Sequence, residues 1–161
     1  MQFIDIVDFD FKNHEDYGFS KVLRIGKDIS LYTSSNKNPN SPSILAISNK
    51  NEIIQSMRKF DFIYFPTYEN DVELITSAVK KGKCFIISTR DILKKKGAER
   101  AVSLYRLRRF VQFCISYKAK FIIASFAMSE NEIRTPNEIA SIMQLIGLNG
   151  KQALKAMSWQ K

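Results

Sequence analysis

CFIISTRDILKKKGAERAVSLYRLRRFVQFCISYKAKFIIASF, residues 84–126, sets two short apolar runs, CFIIS (84–88) and FIIASF (121–126), on either side of a segment of helical composition. Runs this short and this rich in Ile and Phe read as buried strands. Between them, Leu104, Leu107, Val111 and Cys114 recur at spacings of three and four, which gives a helix from Ala98 to Tyr117 one core-facing stripe. Strand, helix and strand in that order make a crossover, the connection that parallel strands require.

The same alternation extends toward the N-terminus. SILAIS (43–48) is followed by the helical NEIIQSMRK, and DFIYF (61–65) by ENDVELITSAVKK; FIIASF in turn is followed by PNEIASIMQLIG. Two further β-rich runs open the chain, FIDIVDF (3–9) and KVLRI (21–25), and residues 27–43, with their SSNKNPNSP, read as turn or flexible loop. Repeated βα units with right-handed crossovers give either a doubly wound open sheet or a barrel. A complete eight-unit barrel takes ~250 residues. The 161 residues therefore predict one α/β domain over 1–161, an irregular, abbreviated TIM-like βα barrel. At the end of the chain the boundaries are explicit. Thr135 is an N-cap, Pro136 suits the first helical turn and Glu138 completes a capping box, while Gly147 ends that helix. A last short helix spans 150–157, with Leu154, Met157 and Trp159 expected to close over the core.

Charge is distributed unevenly along this framework. Residues 1–80 hold nine Lys or Arg against eleven Asp or Glu, whereas residues 81–161 hold sixteen against five, so the net +9 comes from the second half. Between Arg90 and Lys120, ten basic residues face only Asp91 and Glu99. Such a field attracts a polyanion through counterion release. The candidate RNA-binding residues are Arg90, Lys94, Lys95, Lys96, Arg100, Arg106, Arg108, Arg109, Lys118, Lys120 and Arg134. On the long helix Arg106 and Arg108 flank the apolar stripe and Arg109 lies opposite its centre. Arginine's planar fork grips phosphate and stacks on unpaired bases, and Tyr105 and Tyr117 could add stacking. Solvated surface charge is the bland alternative for any one of them.

Catalytic machinery is harder to find. A single histidine, His14, rules out a His-rich metal site, and it reads as an ordinary surface residue. Asp8 and Asp10 would share one side of an extended strand and, with Asp5, could bind Mg²⁺, although acidic residues at strand ends commonly just face solvent. No phosphate-binding glycine loop and no GxSxG occurs. Cys84 and Cys114, thirty positions apart within apolar runs, read as buried thiols rather than redox or metal groups. No run approaches the ~20 apolar residues of a membrane span, and the acidic first ten residues do not suit a signal peptide, so a soluble, cytoplasmic protein is expected.

The C-terminal third resembles a known family. FIIASFA (121–127), Arg134-Thr135-Pro136-Asn137-Glu138, Ile146-Gly147-Leu148, and Gln152-Ala153-Leu154 through Ser158 follow the order and spacing of ribonuclease P protein component 3, the archaeal counterpart of the eukaryotic thirty-kilodalton subunit; the opening FIDI also fits. The resemblance implies a seven-stranded barrel like that of metal-dependent phosphoesterases (PHP-like) without their full metal ligands. It implies a partner, component 2, in a heterotetramer bound to the ribonuclease P RNA, which with Mg²⁺ removes the 5′ leader of precursor tRNA. The chain itself would then carry no cofactor and no active site. The alternatives from the residues are a divergent metal-dependent phosphoesterase using Asp5, Asp8 and Asp10, and a protein-interaction module without RNA.

Overall fold

The six apolar runs become strands, and a further short strand joins them to give seven among the described residues, all parallel. β1 (Ile4–Val7) pairs with β2 (Lys21–Arg24). A second group pairs in chain order: β3 (Ser30–Tyr32), β4 (Ser43–Ala46), β5 (Phe62–Tyr64), β6 (Cys84–Ser88) and β7 (Lys120–Ala124). The computed structural model describes residues 2–39 and 42–158, so the expected packing of Trp159 lies outside the described residues.

Two seams join these groups into a barrel. Past the end of β7, the Phe126 amide donates to the Ile6 carbonyl at 2.9 Å and the Asp8 amide to the Ala127 carbonyl at 2.7 Å, with Val7 and Ala127 in parallel register. On the other side a tight turn at Gly26 brings Ile25 against Ile29 as a parallel bridge. Gly26 takes φ +83 there, a conformation that a side chain would strain. The period of two then sorts each strand. Ile6, Leu23, Ile44, Phe62, Ile86 and Ile122 fill the interior. Leu45, Ile63, Phe85, Ile87 and Ile123 face outward against the helices. Where both faces are covered, as in β4 to β7, the strands read as continuous apolar runs, as parallel strands do.

The helical layer covers only part of this barrel. α1 (Lys50–Ser56), α2 (Val72–Lys80) and α4 (Gly97–Ser116) are the crossovers after β4, β5 and β6, and α5 (Pro136–Gln144) and α6 (Gly150–Met157) follow β7. The short helix α3 (Arg90–Leu93) lies between β6 and α4. Between β1 and β2 there is only a short 3-10 turn at His14–Tyr17. The sequence marks the N-terminal caps of several helices. Asn49 accepts from the Asn51 and Glu52 amides, Asp71 from Leu74, and Asn149 from Gln152. Among the described residues no helix is long and apolar enough to cross a membrane.

Residues 27–43 correct the sequence reading. Read as turn or loop throughout, they contain β3, whose Ser30, Leu31 and Tyr32 pair with Ser43, Ile44 and Leu45. Three residues carry no usable alternation; the strand forms because β4 supplies the ladder.

The capping box of α5 is realised in full: Thr135 Oγ1 accepts from the Glu138 amide at 3.3 Å, and the Thr135 amide donates to Glu138 Oε2 at 2.7 Å. Thr135→Ala should cost about 1 kcal/mol and lower the melting temperature by roughly 3 °C for a chain of this size. An unchanged melting curve would mean that Pro136 alone fixes the start of the helix.

Candidate nucleic-acid interface

α4 positions the basic residues. Leu107, Phe110, Val111 and Cys114 are buried and Leu104 is half-buried, so the stripe takes in Phe110, which the spacing reading had left out, and Leu104 lies at its edge. Phe110 packs edge-on against Phe85 of β6 (5.2 Å) and against Tyr68 (5.7 Å), which fixes the rotation of the helix about its axis. Arg106, Arg108 and Arg109 are consequently exposed. At the end of α4, Lys118 takes φ +56 while the Ala119 amide returns to the Cys114 carbonyl at 2.8 Å, turning the chain into β7 with Lys118 and Lys120 at the surface.

The structure divides the eleven candidate cations. Arg90 and Lys94 meet Glu132, at 3.4 and 2.8 Å, and the Lys94 ammonium holds the Glu132 carboxyl below its ordinary range. Arg134 donates twice, to the carbonyls of Asn131 (3.0 Å) and Ile133 (2.6 Å). Lys95 donates to Ser103 Oγ at 2.7 Å, and Arg100 to the carbonyls of Lys95 and Leu93, so these two build the junction between α3 and α4. The remaining six, Lys96, Arg106, Arg108, Arg109, Lys118 and Lys120, are exposed, and among the described residues none of them is in an ion pair.

Spacing of four also builds a ladder that the sequence reading only half saw. Arg109 Nη1 donates to Tyr105 Oη at 3.4 Å and its guanidinium sits 6.0 Å from the Phe113 ring centroid. Phe113 in turn stacks on Tyr117 at 6.1 Å and 27°. Phe113 had escaped notice, although its place at i+4 from Arg109 was readable.

The C-terminal ends of the strands, where barrel enzymes place their chemistry, are closed by side chains. Tyr64 Oη donates to Asp91 Oδ1 at 2.8 Å, Tyr68 Oη to Asp91 Oδ2 at 2.8 Å, and the Ser88 amide donates to Tyr68 Oη at 2.9 Å. The Phe126 ring lies 5.0 Å from that of Tyr64. Burial pushes the Asp91 carboxyl up against the opposing effect of the two tyrosine hydroxyls. Burial, followed by the Asp91 charge, also pushes both tyrosines above their usual range. Tyr68 and Phe126 hold φ of +47 and +50, strained for bulky residues and tolerated because the packing fixes both rings. No local pattern announced this cluster.

The three aspartates of the phosphoesterase alternative do not converge. Asp5 is buried and its Oδ1 accepts from the Ile6 amide (2.8 Å) and the Ser125 amide (2.6 Å), which ties β1 to the chain beyond β7. Burial pushes its carboxyl up to about 6, against those bonds. Asp8 and Asp10 are exposed beyond the end of β1, where strand alternation no longer applies, and Asp10 pairs with Arg24 at 3.7 Å. Among the described residues no three His, Cys, Asp or Glu are placed to hold a metal ion. His14 is half-buried, with Nδ1 3.0 Å from the Phe19 carbonyl.

The cysteines separate. Cys114 is buried as expected, but Cys84 is half-buried and lines a cavity of about 580 Å³ at the N-terminal ends of the strands, with Ile115, Lys120, Phe121, Leu148 and Lys155. Burial pushes both thiols up to about 12, so neither is a thiolate at neutral pH.

Comparison with known proteins follows the same lines. The profile of the RNase P subunit p30 family matches residues 27–161. Ribonuclease P protein component 3 of Methanosarcina acetivorans is 25% identical over 137 residues, 80% of this chain; the chain spans 57% of the length of that relative. The fold is similar to that of a chain in the cryo-EM structure of archaeal ribonuclease P with mature tRNA, at 15% identity and a TM-score of 0.73, covering 96% of this chain and 86% of the other.

Proposed function

Because the chain belongs to the RNase P subunit p30 family, we propose that it is an RNA-binding subunit of ribonuclease P, helping to hold the catalytic RNA that removes the 5′ leader from precursor tRNA. The observation that carries this reading is the uncompensated charge along and beyond α4: Lys96, Arg106, Arg108, Arg109, Lys118 and Lys120, exposed and outside the ion pairs of the described residues. Arginines presented this way neutralise phosphates and release their counterions. Arg90, Lys94 and Arg134 contribute to the field while their side chains brace the chain locally. Lys95 and Arg100 hold the entry to α4.

The protein alone is a scaffold in this proposal. The strand ends carry a tyrosine–aspartate cluster in place of an open site, Asp5 serves the seam, and the Mg²⁺ requirement belongs to the RNA. Component 2 is the expected protein partner, in a heterotetramer, and the cytoplasm the expected compartment.

Binding of this protein to ribonuclease P RNA, measured by filter retention, should weaken several tens of fold between 50 and 200 mM salt if about four phosphates are neutralised. Affinity that is flat across that range overturns the reading, as does retention on heparin without binding to structured RNA.

A further inference from the structure

The four-residue ladder on α4 is built from groups that a phosphate site does not need. Tyr105 is 61% exposed and Tyr117 39%, and Val102, one turn before Tyr105, is 50% exposed. Large rings left in water at the centre of a charged face are unusual on a helix whose opposite side is fully packed. Residues 105, 109, 113 and 117 stand about one helical turn apart, each roughly 40° further around the helix, so their planar groups form one oblique strip in which Phe113 is half-buried against the core. Its order is ring, guanidinium, ring, ring. Arg109 is held between Tyr105 Oη at 3.4 Å and the Phe113 ring at 6.0 Å, and Phe113 lies nearly parallel to Tyr117. The guanidinium is thus pre-positioned as a flat surface while keeping its charge, at lower entropic cost for whatever stacks on it.

The cations beside the strip fit the same ligand. Arg106 and Arg108 project on its two flanks, and Lys118 stands past its end, beyond Tyr117. Planar groups in a row with positive charge on both sides match a strand whose bases are unpaired and whose phosphates run alongside. A duplex hides its base faces and offers phosphates, 2′-hydroxyls and base edges in place of faces to stack on.

We propose that the strip Tyr105, Arg109, Phe113 and Tyr117 is a stacking platform for unpaired nucleotides of RNA. The assignment rests on the RNA-binding reading above and names which form of RNA that face takes. Tyr105, the most exposed ring of the strip, stands at its N-terminal end, and the flanking arginines supply the salt-dependent part of binding.

The test uses the full chain with two probes, a twelve-nucleotide single-stranded uridine-rich RNA and a twelve-base-pair RNA duplex. Single-strand binding should be the tighter of the two. Tyr105→Ala should weaken it roughly tenfold, as loss of one stacked base does, with the slope of log affinity on log salt unchanged, and Tyr105→Phe should retain most of the affinity. Arg106→Ala should instead reduce that slope. Because Tyr105 is on the surface, melting curves of the variants should coincide with that of the parent. Salt-dependent RNA binding that is indifferent to Tyr105→Ala, or equal for strand and duplex, overturns the platform and leaves the RNA-binding reading standing. Absence of salt-dependent binding to either probe overturns both. Loss of a copurifying protein upon Tyr105→Ala, with RNA affinity intact, would give the strip to a protein partner and likewise overturns the proposal.

Discussion

Replacing Arg106, Arg108 and Arg109 together with alanine should lower affinity for ribonuclease P RNA by roughly one to five hundredfold at 0.1 M salt. Each phosphate left unneutralised on RNA keeps its counterion, worth roughly a factor of five to eight at that concentration, and three such factors multiply. The salt slope should flatten by about two units for the same reason. Stability should scarcely change, because all three side chains lie outside the buried stripe formed by Leu107, Phe110, Val111 and Cys114. Gel-shift titration across a salt series measures the affinity, and thermal melting measures the fold. A triple variant that melts with the parent and binds as tightly would move the interface away from α4. The control on the other group is Lys94→Ala, which removes the 2.8 Å contact with Glu132 and should perturb that loop more than RNA binding.

Asp5→Asn should stabilise the protein at pH 7.5 and remove part of its pH dependence. The Asp5 carboxyl has a folded-state pKa of about 6 against 3.8 as its ordinary value, with burial as the main cause. The folded chain therefore holds a proton between about pH 4 and 6 that the unfolded chain has lost. Stability from this group is fully present below the unfolded value and falls as pH rises through the folded one, by up to about 3 kcal/mol. Asparagine keeps the oxygen that accepts from the Ile6 and Ser125 amides and carries no charge to desolvate. The difference in melting temperature between variant and parent should be near zero at pH 4 and grow to several degrees by pH 7.5. Carboxylates held low by partners, Asp71, Glu132 and Glu138, slope the other way, and the difference between the two proteins cancels them. A variant that is less stable at pH 7.5, with the parent's profile unaltered, would show that the ionised carboxylate is needed where it stands.

Much of this molecule was legible residue by residue. CFIIS became β6 at its predicted limits and the last helix fell on Gly150–Met157, because strand alternation, caps and helix breakers act within a few residues of one another. The capping box at Thr135 and Glu138 was readable for the same reason. β3 was not legible, since three residues inside a polar loop form a strand only when β4 lies beside them. Within the site, the exposure of Arg106, Arg108 and Arg109 followed from helical periodicity alone.

What the chain determined by itself, then, is the parallel βα order and a helix with its arginines facing out, both consequences of local spacing. Tertiary structure decided which charges stay free. Glu132 reaches Arg90 and Lys94 across some forty residues, and Asp5 meets Ser125 across 120. Closing the barrel brings these groups within reach of each other, and an ion pair or a buried hydrogen bond depends on distance in space, which no pattern along the sequence encodes.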